Sequence, residues 1–72
     1  MKPSQISGKE LIKALKKYGF VVVRQKGSHI RLEKNTFEGT IKLTVPDHKI
    51  IKKRTLHHIL KAADLDKKIL RK

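Results

Sequence analysis

FVVVRQKGSHIRLEKNTFEGTIKLTVP, residues 20–46, carries three strand patterns in a row. Phe20–Lys26 is rich in β-branched residues and too short for an ordinary helix, so it reads as a first strand. Gly27 and Ser28 follow as a tight turn. From His29 the chain alternates, with Ile30 and Leu32 on one face and His29, Arg31 and Glu33 on the other. That is a half-buried second strand with a wet face. Lys34–Gly39 reads as a polar turn segment. Ile41, Leu43 and Val45 then alternate with Thr40, Lys42 and Thr44 until Pro46, which cannot donate to a ladder, ends the pairing.

Helical patterns flank this block. On its N-terminal side Ser7 stands three residues before Glu10, the spacing of a capping box, and Leu11, Ile12, Leu15 and Tyr18 recur at helical intervals up to Gly19. This predicts a helix over about residues 8–18. Asp47–Arg54 reads as a polar connection. Thr55 then serves as N-cap of a second helix whose Leu56, Ile59, Leu60 and Ala63 form one apolar stripe. Residues 64–72 are expected to add a short terminal helix, with Asp66 as cap and Leu65 and Ile69 packing inward. The order α-β-β-β-α(-α) describes an α+β two-layer sandwich, a three-stranded antiparallel meander with its helices on one face. Tyr18 and Phe20 are expected in the core. With three aromatics in the whole chain, an RNA-reading sheet built on aromatic platforms is not expected.

Length bounds the rest. Seventy-two residues make one domain, 1–72, and a chain of this size buries only about 60% of its unfolded surface, which leaves its stability marginal. The formal charge is +13, from 19 Lys and Arg against 6 Asp and Glu. Residues 1–36 hold nine basic and two acidic groups and residues 37–72 hold ten and four, so the charge belongs to the whole globule and not to a tail. Self-repulsion on that scale favours a polyanionic or acidic partner, nucleic acid first. No cysteine is present, which excludes disulfides and thiolate metal sites and makes the cytoplasm the expected location. The longest apolar run, Phe20–Val23, is far short of the roughly 20 residues of a membrane span, and no membrane partner is expected.

His29 is the residue that adds chemistry to this charge, because it opens the wet face of the second strand directly after Gly27 and Ser28. Arg24, Lys26, Arg31, Lys42 and His48 are the cations and imidazole expected to hold a phosphate backbone around it. Lys52, Lys53 and Arg54 form a further basic cluster ahead of the second helix. His57 and His58 are adjacent on that helix and so point to different sides, unlike an i, i+4 metal pair.

These residues resemble a known family. Ser7-Gly8-Lys9-Glu10-Leu11, Gly19-Phe20 and Arg24-Gln25-Lys26-Gly27-Ser28-His29 look like the HicA toxins of bacterial and archaeal toxin–antitoxin pairs. Val45-Pro46-Asp47-His48 and the run from Thr55-Leu56 through Ile59-Leu60-Lys61 to Ala63 are similar to later parts of the same pattern. The match covers about residues 7–65. Arg54 and Asp64 stand where the family commonly has glycine. The resemblance implies a fold similar to double-stranded RNA-binding domains, mRNA cleavage with no metal or other cofactor, His29 as the catalytic residue with Gly27 and Ser28 as its supporting turn, and neutralisation by a HicB-type antitoxin.

The chemistry suits so small a site. RNA carries its own nucleophile in the 2′-hydroxyl, so an imidazole acting as general base and a few cations around the phosphate could manage cleavage; the sequence leaves open whether the 2′-hydroxyl or water attacks and which group is the acid. Two functions remain open on the residues: a ribonuclease toxin, or a non-catalytic RNA-binding module that uses the same basic face for shape recognition.

Overall fold

The computed structural model describes residues 6–66 and Ile69. Its elements run α1 (Gly8–Lys17), β1 (Val21–Lys26), β2 (His29–Thr36), β3 (Gly39–Pro46) and α2 (Lys53–Ala62). The strands form one antiparallel sheet in the order β1-β2-β3, and the architecture is the expected α+β arrangement.

Local chemistry sets both ends of α1. The Ser7 hydroxyl accepts from the Glu10 N–H and the Glu10 carboxylate accepts from the Ser7 N–H, each at 3.1 Å, which completes the capping box. Ile6 and Leu11 bracket this cap and are both buried, the placement of a hydrophobic staple. At the other end Gly19 takes φ 96°. The Phe20 N–H donates to the Leu15 carbonyl and the Gly19 N–H to that of Lys16, both at 3.2 Å, a Schellman closure that throws Phe20 into the core. Tyr18 was expected to join it and does not. As the C-cap residue it has already left the helical stripe, and it is 42% exposed.

Leu11, Ile12 and Leu15 of α1, Leu56, Ile59 and Leu60 of α2, and Ile30, Leu32, Leu43 and Val45 of the sheet share one buried cluster with Phe20, Ile51 and Ala63. Both helices therefore lie on one sheet face and the other face is open.

Three boundaries differ from the sequence reading. The β2–β3 connection is only Phe37-Glu38, not Lys34–Gly39, because β2 runs on to Thr36 and β3 starts at Gly39. The Thr36 hydroxyl staples this turn, accepting from the Glu38 N–H at 3.2 Å and donating to the Gly39 carbonyl at 2.8 Å. Lys34 stays within the ladder because its stem is half-buried, with its ammonium 5.7 Å from the centre of the Phe20 ring. Thirdly, α2 begins before Thr55. Its N-cap is Lys52 with no side-chain cap bond, and the Leu56 N–H donates to the Lys52 carbonyl at 2.9 Å. Ile51 and Leu56, both buried, occupy the staple positions that fix where this helix enters. Of the expected terminal helix, Leu65 and Ile69 pack against the core and the Ile69 N–H donates to the Asp66 carbonyl at 3.1 Å. Residues 67, 68 and 70–72 of that segment lie outside the described residues.

Candidate functional site

The register sorts the open face into rows. Lys26 pairs with His29 and His29 with Pro46. Arg24 pairs with Arg31 and Arg31 with Thr44. Val21 pairs with Glu33 and Glu33 with Lys42. Residues directly opposite one another share a face. The intervening rows, Val22–Leu32–Leu43 and Gln25–Ile30–Val45, contain the buried residues and face the helices. His29, Arg24, Lys26, Arg31 and Lys42 thus stand together on the open side, and all are exposed.

A bulge makes this possible. The β1–β2 register slips between Val22 and Arg24, so Val23 is an extra residue that resets the alternation. Regular pairing after Val22 would have turned Arg24 and Lys26 toward the helices. With Val23 bulged, both land on the His29 side. Three consecutive valines give no alternation from which this could be read.

His29 is placed by backbone bonds on both sides of it. Gly27, at φ 60°, leads the two-residue turn from β1. The Ser28 carbonyl accepts from the Asp47 N–H at 2.7 Å, and the His48 carbonyl accepts from the Gly8 N–H at 2.9 Å. The segment Pro46–His48 is therefore clamped between the His29 turn and the start of α1. The close packing has a residue requirement: a Cβ on Gly8 would overlap the Pro46 carbonyl oxygen. Nothing in the charge or periodicity of the chain singles out Gly8.

Reach separates the expected contacts into groups. Lys26 lies directly across from His29. The Arg24–Arg31 row is two residues along, about 6.5 Å, and the Lys42 row four residues along, about 13 Å. Lys26, Arg24 and Arg31 therefore lie within two residues of His29 along the ladder, whereas Lys42 lies four away. His48 is not on the sheet. It is an exposed loop residue whose carbonyl anchors α1. His57 and His58 lie on α2 with ring centres 6.4 Å apart, away from this face, and among the described residues no cluster of three or more His, Asp or Glu gathers as metal ligands do.

A family model described as the HicA toxin of bacterial toxin-antitoxin matches residues 8–65. The chain belongs to the HicA toxin family. Comparison with curated proteins and with solved structures returns no match. As a HicA toxin it is the toxin of a toxin–antitoxin pair, in a family whose members are generally ribonuclease-type toxins with RNA targets. Among the described residues no helix is long and apolar enough to cross a membrane.

Proposed function

We propose that this chain, as a single toxin domain over residues 1–72, is an mRNA endoribonuclease that cuts with His29 and is silenced by a HicB-type antitoxin in the cytoplasm. The observation that carries the reading is the arrangement of cations around one exposed imidazole: Lys26 opposite His29, and Arg24 facing Arg31 in the next row.

In the proposed step His29 takes the proton of the 2′-hydroxyl, and the freed oxygen attacks the adjacent phosphorus. The bond to the 5′-oxygen breaks, leaving a 2′,3′-cyclic phosphate, and the departing oxygen takes a proton from water while the imidazolium of His29 returns its own to solvent. Arg24, Arg31 and Lys26 hold the phosphate and the charge that accumulates on it. Positioned proton transfer contributes roughly 10²–10⁴ in rate, and oriented donors to a developing anion contribute comparably. The result is a slow ribonuclease, which is sufficient for toxicity because one cut inactivates a message.

The test is incubation of wild-type and His29→Ala protein with a defined message, with mapping of the cut ends and a parallel RNA-binding measurement. Loss of cleavage with retained affinity is expected. Equal cleavage by both proteins refutes the role of His29, and binding without cleavage by either identifies an RNA-binding module. A substrate with deoxyribose at the cut site should resist; its cleavage would remove the 2′-hydroxyl from the mechanism.

A further inference from the structure

Strand β1 leaves apolar residues uncovered. Val21, Val22 and Val23 are 60%, 40% and 50% exposed, on an edge of the sheet. The other edge, β3, has Leu43 and Val45 buried and Ile41 half-buried, and it ends on Pro46. Backbone groups of β1 that face away from β2 form a ready template for another strand, and natural edges are commonly guarded by lysine or proline. Val21 and Val22, ahead of the Val23 bulge, carry no such guard, and beyond it the guard is the charge of Arg24 and Lys26, which repels another basic chain and admits an acidic one.

We propose that β1 accepts an extended acidic segment of the antitoxin as a fourth strand, whose alternate carboxylates pair with Arg24 and Lys26 beside His29. This rests on the toxin–antitoxin reading and specifies how the partner would engage the site. Charge selects the occupant. Arg24 and Lys26 are two residues apart on one strand and, by the register, share the open face, so residues i and i+2 of an added strand would stand opposite them at about 5 Å between Cβ atoms. A second copy of this chain would bring +13 against +13 and set cation against cation. An acidic strand supplies the complementary pattern, main-chain bonds provide the affinity, and the valines give it apolar surface to cover. Such a strand lies about 10 Å from β2, two strand spacings, so its carboxylates compete with RNA for the cations that flank His29. Docking and silencing become one event.

The full chain, labelled with nitrogen-15, is titrated with a capped eight-residue peptide alternating glutamate and valine. Two comparison peptides carry lysine for glutamate, or a central proline. The expected result is saturable shifts and slowed amide exchange concentrated at Val21–Lys26, no binding of the lysine peptide, and about tenfold weaker binding of the proline peptide, as the loss of one or two ladder bonds predicts. Shifts spread over the lysines of α1 and α2, with the proline peptide binding equally well, overturn the proposal in favour of plain charge attraction. Dimerisation with protected β1 amides before any peptide is added overturns it in favour of a second copy. Failure to bind at all overturns it outright. Since the readout is β1 itself, these outcomes are separate from whether His29 cuts RNA.

Discussion

Arg24 and Arg31 face each other across the β1–β2 ladder, and like charges directly opposite are destabilising by a few tenths to about 1 kcal/mol. Folding alone gives no reason to keep both. A phosphate held between them, as proposed above, would give one, because it would convert the repulsion into a clamp. Replacing Arg31 with Ala is therefore predicted to leave thermal stability unchanged or slightly raised while weakening RNA binding. The salt dependence should soften too: on single-stranded RNA each lost phosphate contact reduces the slope of log K against log salt by about 0.7. Fluorescence binding at several salt concentrations, beside a thermal melt, measures both. A lower melting temperature with an unchanged slope would make Arg31 a structural residue.

At the scale of elements, the clamp between α1 and the loop after β3 links folding to the site. Gly8 lets the helix start sit on Pro46, and its N–H bonds to His48 while Asp47 bonds to Ser28. A Gly8→Ala change must push this loop away and with it the backbone beside His29. The expected cost is about 1–3 kcal/mol, as for other overpacked sites, or some 4–8 °C of melting temperature per kcal/mol for a domain of this size. Cleavage should fall further than the folded fraction does, which circular dichroism and activity at a temperature well below the melt distinguish. Much of this framework was legible in the chain. The Ser7–Glu10 box, the glycine stop at Gly19 and the alternation of β2 and β3 each have a short-range cause, and the alternation places His29 and Arg31 on the wet face from the sequence alone. Three features depend on tertiary partners and were not legible. Lys34 continues a strand because Phe20 lies beneath its stem, α2 starts early because Ile51 and Leu56 are both buried, and the Val23 bulge exists only relative to β2. That last feature decides whether Arg24 and Lys26 share a face with His29, so the sequence put these cations near one another in the chain without showing how they converge.

Over the whole molecule the same charge acts on stability and on binding in opposite directions. The protein spans 34 × 28 × 19 Å and carries +13. At 0.01 M salt the screening length is about 30 Å, so nearly every cation repels every other, whereas at 0.1 M it is about 10 Å and only neighbours interact. Self-repulsion of this kind weakens the compact state, and the melting temperature should therefore rise as sodium chloride increases from 0.01 to 0.1 M. RNA affinity should fall over the same interval. If Arg24, Lys26, Arg31 and Lys42 each neutralise one phosphate, the slope of log K is about −2.8, a loss of several hundredfold per tenfold increase in salt. Melts and binding isotherms on the same samples test the pair of responses together. A melting temperature that falls with salt would mean that local ion pairs outweigh the net charge. A binding slope near zero would mean that the basic open face does not hold a phosphate backbone, and the proposed ribonuclease would then lack its substrate clamp.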